Sequence, residues 1–272
     1  MLYPTVKIEI KTCEPQHVAF VNDLQIDSNG FDSKGFRSWL SAAKALPNTR
    51  FIGLGDWADL IPPSDKRYSV RGGAHRDDNL VKYIVDELRN HLGDTKFDII
   101  CLGNHCDKYS PLLDLAEVFC EEFEAQHGWY CGLLEYQVKV KGKNTDKIRY
   151  RYSILYHHGA WGCGGASAAI APAAKRWAAA YEGWDVFAYG HNHKTGMEVG
   201  VRRSRTPGGK RIDRETRTIS CGTWRTSHIT SKRPMYDEKA GYPLLPTAGA
   251  IIEWSLRVAE EGRRYVTTKV IA

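Results

Sequence analysis

AFVNDLQIDSNG, residues 19–30, opens as a buried strand and closes in a turn. The apolar run stops at Asp23, and Gln25 follows two places on. A charge and an amide at the end of a buried strand are costly unless something there uses them. Their meaning depends on whether other strands of the chain end in the same way.

They do. HVAFVND (17–23), RFIGLGD (50–56) and FDIICLGNH (97–105) are short runs rich in β-branched and aromatic residues, and they read as buried strands. Between them lie helical patterns. SKGFRSWLSAAKAL (33–46) puts Phe36, Leu40 and Ala43 on one face, and NLVKYIVDELRNHL (79–92) repeats Leu80, Ile84, Leu88 and Leu92. SPLLDLAEVFCEEFEAQ (110–126) opens on Ser-Pro, a helix start. IRYRYSILYHHG (148–159) and WDVFAYGHNH (184–193) read as strands around a helix at 168–183, with Pro172 near its start. This alternation predicts crossover connections and a largely parallel sheet. From 197 the text turns to hairpins, with PGG (207–209) as a turn, and GAIIEWSLRV and RRYVTTKVIA close the chain as strands. No linker divides the chain. The expectation is one α/β domain, 1–272, whose C-terminal part adds a mostly antiparallel second sheet.

Composition narrows the class. With 272 residues, 42% hydrophobic and 26% charged, the chain can bury a sizeable core. A net charge of +6 allows an anionic substrate without demanding nucleic acid. Seven cysteines without repeated spacing read as reduced thiols, which points to the cytoplasm. No apolar run approaches the roughly 20 residues of a membrane span, and the N-terminus lacks the pattern of a signal peptide.

The polar residues at the strand ends are Asp23 with Gln25, Asp56 with Asp59, Asn104 with His105, His157 with His158, and His191 with His193. Strand carboxyl ends in parallel α/β sheets converge on one crevice. Carboxylate, amide and imidazole gathered there form a ligand set for divalent metals, whose charge offsets the mutual repulsion of the carboxylates. Alone, GDWAD (55–59) reads equally as a helix cap and GNH (103–105) as a turn. Their ordered conjunction, each closing a strand, is the specific signal.

That order resembles the calcineurin-like metallophosphoesterase superfamily. YHHGAWGCGG, AAKRWAAAYEGWDVFAYGHNHK and SCGTWRTS are similar to bacteriophage and bacterial members, which would place the protein in a host cytoplasm if it is phage-encoded. The resemblance implies a four-layer αββα sandwich of two mixed β-sheets flanked by helices, with two divalent metal ions at the strand ends. Asp56 would bridge the metals. Asp23, His193 and position 25 would hold one. Asn104, His191 and one of His157 or His158 would hold the other. The family's His-x-Gly spacing favours His157, although a histidine directly before Gly, as at 158, also occurs in relatives. Asp59 would orient ligands, and His105 would face the scissile phosphate and protonate the leaving oxygen. A water shared by two metals is hydroxide near neutral pH and attacks phosphorus in line.

The family normally has histidine at position 25. Gln25 offers a neutral oxygen instead, which favours Mn²⁺, Mg²⁺ or Ca²⁺ and is a weaker ligand for Zn²⁺ or Fe; Ni²⁺ is a further candidate. Asp27 could also reach in, but reads first as a turn residue of DSNG. In GNHCD, Cys106 stands where relatives place an acid, Asp107 follows one place later, and the thiol reads as buried and inert.

The basic hairpin 202–217, with Arg202, Arg203, Arg205, Lys210, Arg211, Arg214 and Arg217, would line a groove for a polyanion or simply face water. PPSDKRYSVRGGAHRDD (62–78) reads as a connection able to cap the site, and GCGGAS (162–167) as a turn rather than a Walker loop. Trp161 and Trp224 read as packing residues before base platforms. The expected function is a metal-dependent phosphoesterase, with phosphodiesters (nucleotide or nucleic acid) ahead of monoesters. The competing expectation is a non-catalytic metal-binding or protein-interaction module.

Overall fold

The computed structural model describes residues 4–11, 14–61, 80–107, 115–140, 147–160, 170–205, 211–226, 244–258 and 264–271. In chain order the elements are β1 (Thr5–Ile10), β2 (Gln16–Val21), α1 (Ser33–Ala45), β3 (Thr49–Gly53), α2 (Leu80–Leu92), β4 (Phe97–Ile100), α3 (Asn104–Asp107), α4 (Leu115–Glu122), β5 (Gln126–His127), β6 (Cys131–Val140), β7 (Lys147–His157), α5 (Pro172–Ala179), β8 (Val186–Tyr189), β9 (Thr195–Arg205), β10 (Arg211–Cys221), β11 (Ala250–Val258) and β12 (Arg264–Val270).

The strands form two six-stranded mixed sheets, ordered β1-β6-β7-β8-β10-β9 and β12-β11-β2-β3-β4-β5. In the second sheet β2, β3, β4 and β5 run parallel, with β11 antiparallel to β2. Alternation along the strands explains the layering. Val18, Phe20, Ile52 and Ile99 turn inward to meet Leu134, Tyr136, Ile154 and Val186 of the facing sheet. Trp254 lies in this seam, stacked on Tyr152 at 4.6 Å between ring centroids. The alternate residues Ala19, Val21 and Phe51 turn outward onto α1, α2 and α4. On the other side Leu155, Phe187 and Tyr189 pack under α5. The architecture is a four-layer αββα sandwich.

The helices form where their apolar spacing and caps dictate. Phe36, Leu40 and Ala43 are the buried stripe of α1, and the Asp32 carboxylate caps its start by accepting the Gly35 N–H at 2.9 Å. Pro172 opens α5, where a missing N–H costs nothing. No helix among the described residues is long and apolar enough to cross a membrane.

Three expectations change. β1 and β6, which pair in parallel, were not read as strands, because interleaved charges mask their alternation. The last two strands do not found a sheet of their own: β11 pairs antiparallel with β2, at the edge of the parallel strands, while N-terminal β1 crosses to the other sheet. Helix α4 stops at Glu122, and Gln126 already belongs to β5. Residues 108–114, the PGG turn and the 62–78 segment lie outside the described residues.

Candidate metal centre at the strand ends

Parallel pairing of β2 with β3 continues into the loops beyond them. Asp23 N donates to Gly55 O at 3.0 Å, Gln25 N to Asp56 O at 3.1 Å and Ile26 N to Trp57 O at 3.1 Å. The loops that carry Asp23, Gln25 and Asp56 therefore lie side by side. All three residues have left-handed backbones (φ +47, +47 and +49), as do His191 (+66) and His193 (+56). Such conformations are strained for residues with a Cβ and persist where surrounding structure enforces them. Five of the nine non-glycine residues with positive φ among the described residues are residues singled out from the sequence.

Each key carboxylate is held by one oxygen. Asp23 Oδ2 accepts from Asn22 Nδ2 at 2.7 Å and from His191 N at 2.9 Å, while Oδ1 faces Nε2 of His193 at 3.2 Å. Asp56 Oδ1 accepts from His105 N at 3.0 Å, while Oδ2 faces Nε2 of His158 at 3.3 Å. The glycines of the motifs allow these approaches: a Cβ at Gly103 would lie 2.0 Å from Asp56 Oδ1, and one at Gly190 would lie 2.7 Å from Asp23 Oδ2. Imidazole nitrogens point at the same place. His158 Nδ1 donates to Leu54 O at 2.7 Å, which turns Nε2 toward Asn104 Oδ1 at 3.1 Å and toward Asp56. Ligand atoms of Asp56, His158 and His191 lie within 4.8 Å of one another.

His157 goes elsewhere. Its Nδ1 accepts the Gly159 N–H at 2.7 Å, and its ring lies edge-on to Trp177 of α5 at 4.7 Å. Strand alternation is the reason: consecutive residues point to opposite faces, and only His158 turns toward Asp56. The spacing favours His157; the register turns His158 toward Asp56.

The field inside the cluster matches this arrangement. Burial opposes a charge on His158, but the Asp56 carboxylate, helped by Asp23, outweighs it and pushes the imidazole up to about 9. Burial, then His158 and His191, push His157 down to about 4. Burial would raise Asp23 and Asp56, yet His193 and His158 respectively hold the two carboxyls below their ordinary value. His105 Nδ1 lies 2.9 Å from Asp59 Oδ1 and 2.8 Å from Asp59 O. Burial disfavours its charge, but Asp59 and Asp56 prevail and raise its pKa.

These residues fit divalent cations. Asp23 Oδ1 and Asp56 Oδ2 are buried, each facing an imidazole Nε2 at ion-pair distance, and Gln25 Oε1 is a buried acceptor that receives no hydrogen bond. Leaving such an atom unsatisfied costs about 1–3 kcal/mol. A cation among these oxygen and imidazole donors would remove that cost at Gln25 and draw on the charge of both carboxylates.

Other residues brace the site. Asp27 lies in the turn and its carboxylate is buried, accepting from Asp59 N at 2.5 Å and Leu60 N at 3.0 Å and so bracing the segment that carries Asp59. The turn composition of DSNG and this reach inward are both realised. Asn22 Nδ2 also donates to Gly222 O at 2.7 Å, and Thr223 Oγ1 and Trp224 N both donate to Asp23 O, at 3.0 and 3.1 Å. The SCGTW stretch thus holds the Asp23 loop from behind. Trp224 itself is buried against Trp39 and Phe36 and offers no platform. Burial and then Asp56 push the Cys106 thiol up to about 12, which makes it unreactive.

Three arginines of the basic hairpin are engaged locally. Arg202 stacks over Trp184 at 4.5 Å, Arg203 pairs with Asp213 at 3.1 Å, and Arg217 pairs with Glu215. Lys210, Trp161 and GCGGAS lie outside the described residues.

No family model and no curated protein matches the chain. Solved structures similar to it include Vps29 of Chaetomium thermophilum, with 11% identity over 94% of this chain and 95% of that one and a TM-score of 0.39. NAD nucleotidase (NadN) of Haemophilus influenzae shares 8% identity over 93% of this chain and 49% of its own, with a TM-score of 0.37. GAP50, the anchor in the inner membrane complex of Plasmodium, shares 11% identity over 96% and 90%, with a TM-score of 0.41. At this level the likeness is one of backbone outline.

Proposed function

We propose that this protein is a metal-dependent phosphoric ester hydrolase that acts on phosphodiesters ahead of monoesters. The observation that carries the reading is the set of buried oxygens, Asp23 Oδ1, Gln25 Oε1 and Asp56 Oδ2, gathered with imidazoles at converging strand ends. Asp23, Gln25 and His193 would hold one cation, Asn104, His158 and His191 the other, with Asp56 shared. Manganese suits the oxygen-rich first position. When bound, the cations supply Lewis acidity toward phosphoryl oxygens and acidify the attacking water.

The chain's own residues supply the rest. His105 is the proton donor to the leaving oxygen. Asp59 holds its Nδ1 and favours the charged ring, so the transferable proton sits on Nε2. Asp27 fixes the Asp59 segment, and Asn22 with the 222–224 backbone fixes Asp23. The cationic groups that act on Asp23 and Asp56 are imidazoles. A singly charged diester asks less compensation of them than a dianionic monoester.

The test is hydrolysis of bis-p-nitrophenyl phosphate and p-nitrophenyl phosphate by metal-stripped protein, with Mn²⁺, Mg²⁺, Zn²⁺ or Ni²⁺ restored singly. The expected result is Mn²⁺-dependent cleavage favouring the diester, with His105→Ala lowering kcat by about 10²–10⁴ while cation binding persists. Cleavage of neither ester by protein that binds its cations would replace the hydrolase reading with a non-catalytic metal-binding module.

A further inference from the structure

An aromatic pair beside the cluster has no part in the chemistry above. Trp129 and Tyr130 lie between β5 and β6. The Trp129 backbone is left-handed (φ +53), a conformation sterically costly for a bulky residue, and its side chain is 56% exposed. Neither backbone preference nor burial accounts for a tryptophan at this position. Isolated exposed apolar residues are ordinary; this one is tied into the site. Its carbonyl accepts the Leu102 N–H at 3.0 Å, and the Tyr130 carbonyl accepts the His158 N–H at 2.9 Å. The dipeptide is thereby stitched between the segments that carry Asn104, His105 and His158. His105 is three residues beyond Leu102, at most about 11 Å along the chain.

The indole is also oriented. The His127 ring packs against it at 4.4 Å between centroids, tilted by 47°, and His127 Nδ1 accepts the Trp129 N–H at 2.9 Å. Tyr130 stands edge-on to His158 at 5.4 Å and to His157 at 5.5 Å, so along the chain it joins the indole to the cluster.

We propose that Trp129 and Tyr130 form a base-binding subsite, and that the ester hydrolysed carries a nucleobase stacked on the Trp129 indole. This rests on the phosphoesterase reading. A rigid, exposed indole presents a π face to any base, and such stacking tolerates every base. Tyr130 offers a hydroxyl to the sugar or phosphate between base and cluster. The base comes from a free nucleotide ester or from a nucleic-acid strand.

The experiment compares thymidine 5′-p-nitrophenyl phosphate, methyl p-nitrophenyl phosphate and a ten-residue oligothymidylate as substrates of Mn²⁺-loaded wild type, Trp129→Ala and Trp129→Phe. In Trp129→Ala, kcat/KM for the thymidine ester or the oligonucleotide, relative to the methyl ester, is expected to fall about tenfold or more. The loss should appear in KM, with Trp129→Phe restoring most of it. The substrate on which the ratio falls identifies the source of the base. A calorimetric arm measures thymidine 5′-monophosphate binding in the His105→Ala background, where about tenfold weaker binding on adding Trp129→Ala is expected whether or not any ester is turned over. That arm separates failure of the subsite from failure of the hydrolase reading. Equal ratios on both nucleoside substrates, together with unchanged nucleotide affinity, would overturn the proposal.

Discussion

At the scale of single residues, the site is a matter of which atom is already occupied. Asp23 and Asp56 each spend one carboxylate oxygen on backbone or amide donors and keep the other for the cluster. His158 spends Nδ1 on Leu54 O and keeps Nε2. His157 also spends Nδ1, on the Gly159 N–H, but its ring packs against Trp177. His158→Gln is therefore expected to weaken cation binding at least tenfold to a hundredfold, whereas His157→Gln changes melting temperature and leaves cation binding near wild type. Equal losses of cation affinity in the two variants, measured by calorimetry, would contradict the register. Gln25 is the other residue-scale prediction. Its neutral oxygen is a poor ligand for Zn²⁺, so Gln25→His should raise Zn²⁺ affinity by about an order of magnitude relative to Mn²⁺. A competition titration that finds the ratio unmoved would place Oε1 outside the coordination. The strand-end residues were legible in the sequence because each closes an apolar run. Choosing between His157 and His158 was not, because it turns on the face that the last strand residue presents.

At the scale of elements, loops that leave parallel strands are held by each other and by glycines. Gly103→Ala forces a methyl against Asp56 Oδ1, so cation affinity and melting temperature should fall together. Gly93→Ala is the control. Its φ is +58 and its Cβ would meet only the end of Lys44, so it should cost about 1 kcal/mol and spare the cations. Asp185, between α5 and β8, sets a pH dependence. Its carboxylate accepts Ser153 N of β7 at 2.8 Å, and its own backbone bonds to Ser153 O and Arg217 N. Burial, only partly offset by the Ser153 N–H, pushes its pKa up to about 6. The folded state therefore holds a proton that the unfolded state releases near pH 4, and stability is lost as pH rises from about 4 through about 6. The loss is roughly 3 kcal/mol. Melting curves across pH 4–7.5 should show it in wild type and show it flattened in Asp185→Asn; parallel curves would remove the assignment. Long helices and buried strands were legible from their periods. β1 and β6 were not, because their apolar residues alternate with charges and their pairing partners lie far away in sequence.

At the scale of the whole molecule, two sheets meet along an aromatic seam, and five strand ends, from β2, β3, β4, β7 and β8, lead into residues of one cluster. Trp254 of β11 stacks on Tyr152 and Tyr136 of the facing sheet. Trp254→Ala should cost about 3–5 kcal/mol in chemical denaturation, while the fraction that stays folded keeps its cation affinity. A loss under 1 kcal/mol would show that the seam does not hold the sheets together. The sandwich as a class was expected from the motif order, but the membership of each sheet was not. Which strand lies beside β2 is decided by β11, from the far end of the chain, and by side-chain fit across the seam rather than by any local pattern. The central claim is that these strand ends assemble a metal centre bridged by Asp56. Its most direct test is electron paramagnetic resonance of metal-stripped protein titrated with Mn²⁺. The account predicts that two equivalents bind and give the spectrum of an exchange-coupled pair, which Asp56→Asn reduces to uncoupled ions. Failure to bind Mn²⁺, or a spectrum of isolated ions identical in wild type and Asp56→Asn, would contradict it.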